Sequence, residues 1–123
     1  MSAAFDPADQ ILRVTGSNAA ETIRVVNDAG SIRVDGESIT MADGSTVQSL
    51  SAANVNFVHV DGLGGDDRIE MVQLGVAADG GVILEANGGA GSDTIVGGSA
   101  ADRLNSGDDD DLLIGGFGVD ALD

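Results

Sequence analysis

Large apolar residues return every nine positions through the last third of the chain, at Ile95, Leu104, Leu113 and Leu122. One apolar residue between short polar runs suits a three-residue strand that buries a single side chain. Repetition of such a unit suits a solenoid, in which each turn covers the next. Upstream the pattern changes to the β-branched and alternating runs of longer strands. These predict strands at Ile11 to Thr15, Thr22 to Val26, Ser31 to Val34, Asn54 to Val60 and Gly81 to Glu85. Asn27-Asp28-Ala29-Gly30 has turn chemistry, because Asn and Asp tolerate the left-handed region and Gly supplies it. The segment 22–34 therefore reads as a hairpin. Residues 1–10 read as a polar lead-in, 36–53 carry no clear period, and 70–80 break the phase. A turn around Leu50 to Asn54 is the nearest the chain comes to a helical period. Pro7, the one proline, falls outside every predicted strand, as stacked strands require, since proline cannot donate to a ladder.

The nine-residue beat belongs to a fuller unit. Gly88-Gly89-Ala90-Gly91-Ser92-Asp93-Thr94-Ile95-Val96 is the first copy, and others begin at Gly97, Ser106 and Gly115. Position six is Asp in all four copies, at Asp93, Asp102, Asp111 and Asp120, and position eight is Ile or Leu. An earlier copy, Gly62-Leu63-Gly64-Gly65-Asp66-Asp67-Arg68-Ile69, keeps Gly65 at position four and Asp67 at position six. A decayed copy from Gly16 to Ile23 keeps Glu21 and Ile23 but not the inner glycines.

Each unit divides into a six-residue turn and a three-residue strand. Glycines at positions one, two and four permit positive φ and leave backbone carbonyls free to face a cation. Position six adds a carboxylate just before the strand. A donor set made only of oxygen is calcium chemistry. Zinc prefers His or Cys, and His59 stands alone, so it reads as a strand residue. With one strand per face, two units complete a turn, and same-edge loops lie 18 residues apart. One column then holds Asp93 and Asp111, the other Asp102 and Asp120. If 70–87 completes one oversized turn, Asp67 joins the first column.

These residues resemble the hemolysin-type calcium-binding proteins, the repeat-in-toxin (RTX) family. The pattern is G-G-x-G-x-D-x-U-x, with U apolar. The resemblance is strong over 88–123, good at 62–69 and weak at 16–23. It implies an all-β fold, a right-handed parallel β-roll or β-helix solenoid, here with an irregular N-terminal β cap. It implies Ca2+ between loops on the same edge, bound by carbonyls of the glycine-rich positions and by the position-six Asp. Carried over, the metal residues are Gly62, Gly65, Asp67, Gly88, Gly89, Gly91, Asp93, Gly97, Gly98, Asp102, Ser106, Gly107, Asp109, Asp111, Gly115, Gly116, Gly118 and Asp120. The ions expected lie between loops 88–93 and 106–111, between 97–102 and 115–120, and between 62–67 and 88–93. The Glu21 copy is expected to have lost its ion. Ala100 replaces Gly at position four of the second copy, which weakens loop 97–102. Asp109 does so in the third, where Ser106 also replaces the first Gly; Asp tolerates the left-handed region better than Ala. The family is typically bacterial and secreted, and folds when it meets calcium after export.

Composition agrees with a thin, solenoid-like core: three Phe, no Trp and no Tyr. The length is that of one continuous domain, read as a cap over 1–60 and a calcium-binding roll over 61–123. Seventeen Asp and four Glu face five Arg, for a net charge of −16. Such charge opposes compaction until it is neutralised, and it argues against a nucleic-acid partner. The start lacks the features of a secretory signal peptide, no membrane span is expected, and the absence of Cys excludes disulfides. No catalytic constellation is present: the zinc-protease signature H-E-x-x-H is missing, and Asp66-Asp67 fits a calcium loop better than an acid–base pair. The expectation is a calcium-folded binding or structural module. Its alternatives are the non-catalytic C-terminal part of a secreted protease, lipase or epimerase, and an adhesin or surface-layer segment. The open end of the array predicts end-to-end self-association or continuation of the repeats.

Overall fold

The computed structural model describes residues 2–74, 82–98, 102–115 and 121–122. It is all-β, with fourteen strands and one 3-10 turn at Ala52–Asn54 among those residues. The chain begins with β1 (Ser2–Asp6), β2 (Ile11–Ser17), β3 (Thr22–Asp28) and β4 (Ser31–Val34). Three short strands follow: β5 (Ile39–Met41), β6 (Thr46–Val47) and β7 (Leu50–Ser51). Longer ones return with β8 (Phe57–Leu63), β9 (Arg68–Leu74) and β10 (Ile83–Asn87). The repeats contribute β11 (Thr94–Val96), β12 (Arg103–Asn105), β13 (Leu112–Ile114) and β14 (Ala121–Leu122).

Two mixed sheets result, and from β8 onward successive strands fall in alternate sheets. One has the order β14-β12-β10-β8-β2-β1-β5-β6, the other β13-β11-β9-β3-β4-β7. From β2 and β3 outward, every pairing toward β14 and β13 is parallel. In the repeats the register steps by 18 residues, as in Thr94 opposite Leu112 and Glu85 opposite Arg103. The insertion completes one larger turn, placing Thr94 opposite Arg68.

The registers explain why one apolar residue per strand suffices. Ile23, Ile69, Ile95 and Leu113 are neighbours across one sheet. Val14, Val60, Ala86 and Leu104 are neighbours across the other. Apart from half-buried Leu113, all lie at most 4% exposed, so two apolar ladders meet between the sheets. Each ladder step removes a side chain from water on both flanks, which is how a chain so poor in aromatics finds a core.

The N-terminal strands close the other end. The hairpin over 22–34 forms as expected, with β3 antiparallel to β4. The lead-in expectation for residues 1–10 is corrected: Ser2–Asp6 is a strand antiparallel to β2, burying Ala3 and Phe5. Its alternation is hidden in the sequence because one of the two inward residues is only an alanine. The strand expected from Asn54 begins at Phe57, because Ala52–Asn54 turns first. The one expected from Gly81 begins at Ile83, and Gly81 itself lies outside the described residues. The unassigned 36–53 holds β5, β6 and β7, which are two or three residues each and too short to show a period.

Candidate metal centre

Parallel pairing places Thr22, Arg68, Thr94 and Leu112 side by side. The residues just before them, Glu21, Asp67, Asp93 and Asp111, therefore form one column along an edge of the coil. Each of the three aspartates reaches toward the preceding turn. The Glu21 N–H donates to Asp67 Oδ1 at 2.9 Å, Asp67 N–H to Asp93 Oδ1 at 2.8 Å, and Asp93 N–H to Asp111 Oδ1 at 2.7 Å. The carbonyls of Glu21, Asp67 and Asp93 accept from the N–H groups of Arg68, Thr94 and Leu112 at 2.8–2.9 Å. Backbone and side chain of the position-six residue are thus tied to the adjoining turn.

One oxygen of each aspartate is left over. Asp67 Oδ2, Asp93 Oδ2 and Asp111 Oδ2 are buried and accept no hydrogen bond. A buried unsatisfied acceptor costs about 1–3 kcal/mol, and more when charged. Native structures keep such atoms for a reason, a bound ion among them. Burial pushes the Asp67 carboxyl up to about 6; the Glu21 amide opposes this, while Asp93, Glu21 and Asp66 add repulsion. Burial also raises Asp93, opposed by the Asp67 amide and reinforced by Asp111, Asp66 and Asp109.

The glycines divide into two kinds. Gly62 and Gly88, at position one, have no positive φ, which corrects the expectation that position one needs it. They are glycine for room. A Cβ on Gly62 would lie 2.6 Å from Asp67 Oδ2 and 2.7 Å from the Gly88 carbonyl oxygen. A Cβ on Gly88 would meet Asp93 Oδ2 at 2.5 Å and the Ser106 carbonyl oxygen at 2.7 Å. The unpartnered carboxylate oxygen and a carbonyl of the next turn thus converge beside the same bare Cα. Positions two and four do need positive φ. It is +69° at Leu63, +87° at Gly89 and +86° at Gly107, then +85° at Gly65, +102° at Gly91 and +70° at Asp109. Asp109 fills its glycine position usefully, since its Oδ2 accepts the Gly91 N–H at 3.1 Å.

Position five had no role in the sequence reading, yet Asp66 Oδ1 accepts the Ser92 N–H at 2.8 Å and ties loop 62–67 to loop 88–93. The same two loops border an open depression lined by Glu21, Asp66, Asp67, Ser92 and Thr94. Among the described residues no three His, Cys, Asp or Glu side chains converge as a metal cage. An ion fitting this column takes backbone carbonyls as well as carboxylates, which suits calcium and not zinc. His59 lies on β8 beside Glu85 at 3.5 Å, as a strand residue. Arg68 and Arg103 pair with Glu70 at 3.0 Å and Glu85 at 3.5 Å on the outer faces.

The opposite edge is built differently. Asp102 is buried, but both its oxygens accept: Oδ1 from Leu84 N–H at 2.9 Å, Oδ2 from Gly98 N–H at 2.7 Å. Its neighbour in the preceding turn is Leu84, not a carboxylate. Glu21 likewise closes on its own loop, accepting Ser17 N–H at 2.5 Å. Gly97 shows the position-one packing, against Asp102 Oδ2 and the Gly115 carbonyl. Ala100, Gly116, Gly118 and Asp120 lie outside the described residues; the last copy is placed by Gly115 beside Gly97 and by Arg103 and Leu104 opposite Ala121 and Leu122.

The model of one protein family, the RTX calcium-binding nonapeptide repeat, matches residues 87–122 in four copies. Residues 87–122 are an RTX array. Neither a curated protein nor a solved structure matches the chain. Loop 62–67 lies outside the RTX match, but the backbone stacks it directly against the array.

Two predictions follow from the column. Gly30 has φ +94° with nothing near its Cβ position, whereas a Cβ on Gly89 would collide with the Leu63 carbonyl. Gly30→Ala should cost only the left-handed strain of about 1–2 kcal/mol. Gly89→Ala should cost distinctly more in urea denaturation with calcium present, and equal costs would contradict the close approach. The second concerns pH. The Asp67 carboxyl titrates near 6 in the fold and near 3.8 in the unfolded chain, so the fold holds its proton more tightly. Without metal, this contribution is fully present below 3.8 and is lost as pH rises through 6. Metal-free protein should therefore melt higher at mildly acidic than at mildly alkaline pH, and Asp67→Asn should shrink the difference.

Proposed function

We propose that the chain is a non-catalytic calcium-binding module, a right-handed parallel β-roll whose array folds as ions fill its edge. The observation that carries this reading is the line of buried, unpartnered Oδ2 atoms at Asp67, Asp93 and Asp111. The RTX match supplies the ion. The right hand follows from the general preference of parallel crossover connections. In this reading Asp67, Asp93 and Asp111 supply carboxylates. Gly62, Gly65, Gly88, Gly89, Gly91, Ser106, Gly107 and Asp109 supply carbonyls from the facing loops. A second column would use Gly97, Gly98, Asp102, Gly115, Gly116, Gly118 and Asp120. It would form the weaker sites, because Asp102 Oδ2 already accepts a backbone N–H. Glu21, closed on its own loop, holds no ion.

Calcium here neutralises stacked carboxylates that otherwise repel, so its binding free energy becomes folding free energy. The cap over 1–60 needs less help. Among the described residues it carries thirteen of the twenty buried apolar ones, from Ala3 to Val60, and none of the unpartnered Oδ2 atoms. RTX repeats are typical of secreted proteins, and we extend that location to this chain. Among the described residues no helix is long and apolar enough to cross a membrane.

Far-UV circular dichroism across a calcium titration tests the proposal. Part of the β-signal, that of the cap, should persist with chelator, and the remainder should appear as calcium reaches millimolar levels. A full β-signal indifferent to chelator would sink it. Asp93→Ala and Asp111→Ala should weaken the calcium-induced transition more than Asp110→Ala, since Asp110 is exposed at position five. Calorimetric titrations giving equal losses would refute the assigned register.

A further inference from the structure

Asn87 is followed by Gly88, and this is the one Asn-Gly pair in the sequence. Such a pair is chemically self-reactive. The glycine nitrogen attacks the asparagine Cγ, a Gly88 N–Cγ bond forms, the Cγ–Nδ2 bond breaks and ammonia leaves. Water then opens the five-membered succinimide at either carbonyl, giving aspartate or isoaspartate. Glycine favours the attack because it has no Cβ to hinder it, and an ordered backbone disfavours it because the nitrogen must turn toward Cγ.

The fold sets both conditions at this bond. Asn87 is the last residue of β10, flanked by Asp61 of β8 on one side and Asn105 of β12 on the other. The attacking nitrogen is occupied, since the Gly88 N–H donates to the Asn105 carbonyl at 2.9 Å. Its partner strand, β12, is a three-residue strand of the RTX array. What restrains Asn87–Gly88 is therefore the next turn of the coil, and that turn is one that calcium is proposed to order.

We infer that Asn87 is a self-modification site gated by calcium: shielded in the ordered array, and deamidating when the array is open. This rests on the calcium reading for its gate. The product is not neutral for the protein. Isoaspartate carries the main chain through its Cβ, adding one backbone atom between β10 and loop 88–93. Gly88 has no slack for it, since even a Cβ added there would meet Asp93 Oδ2 and the Ser106 carbonyl oxygen. The added atom shifts that loop out of the column of Asp67, Asp93 and Asp111. A chain that waits too long without calcium thus loses the ability to respond to it.

The test ages the full chain at mildly alkaline pH in three buffers: metal-depleted, millimolar calcium, and urea. Peptide mass spectrometry follows conversion at Asn87, with Asn18 and Asn56, followed by Ala and Phe, as slow internal references. The metal-free rate should approach the urea rate, and calcium should slow it by about tenfold or more, because attack then needs a local opening. Calcium-induced ordering in the dichroism spectrum with equal Asn87 rates in both native buffers overturns this inference alone. A spectrum indifferent to calcium overturns the calcium reading and the gate with it. Aged metal-free wild type should lose its calcium response in proportion to its isoaspartate content, and Asn87→Gln aged alike should keep it. Equal loss in Asn87→Gln would overturn the claimed consequence.

Discussion

A stack of carboxylates, each held by one oxygen and left with the other bare, is the constraint on which this molecule depends. The held oxygen makes the stack regular. Because Oδ1 of one turn accepts the amide of the turn before, the spacing between carboxylates is fixed by the β-ladder and not by the charges. The bare oxygen makes the stack costly. Burial strips the carboxylates of water and their like charges repel, and the raised Asp67 and Asp93 carboxyls record both costs, burial first. Geometry enforces proximity and electrostatics resist it, and a positive charge beside the bare oxygens would relieve that opposition.

The apolar ladders act in the opposite sense and are distributed unevenly. Near the N-terminus the strands run to seven residues and each buries several side chains, as in Ile23, Val25 and Val26 of β3. In the array, β11 and β12 are three residues long and bury one each, Ile95 and Leu104. Leu112 and Ile114 of β13 face outward, 54% and 45% exposed. Hydrophobic burial falls along the coil while buried carboxylates rise. The molecule grades from a conventional β core into a lattice held through its loops.

Much of this was legible beforehand. Position six at Asp67, Asp93 and Asp111, the 18-residue turn and the oversized turn over 70–87 follow from counting, because a solenoid converts sequence spacing directly into spatial neighbours. Asp109 could be read as a glycine substitute for the same reason. What counting could not supply was side-chain choice. Asp102 and Asp93 occupy the same motif position, but one closes on Gly98 and the other leaves an oxygen bare. In both, Oδ1 accepts a backbone N–H of the turn before, from Leu84 on one edge and Asp67 on the other, so the two edges part only at the second oxygen. The role of position-one glycine was also misread, since the motif shows that Cβ is absent but not what stands in its place. Strand β1 escaped notice because Ala3 is too small to announce a buried face.

The antiparallel cap gives the coil a direction. β1 lies antiparallel on β2 and β4 on β3, and the two-residue strands β6 and β7 form the outer edges at that end, each antiparallel to its neighbour. The far end, at β13 and β14, consists of parallel strands alone. At that far end each turn contacts just the turn beneath it, so turns can be laid down or peeled away there one at a time. Under tension applied through the C-terminal side, such a coil yields like a zipper with a fixed stop. It releases its contour in equal increments of one 18-residue turn through the array, then a longer step where Thr94 parts from Arg68. Last comes the cap, where the seven-residue β2 and β3 are flanked on both sides and must shear together.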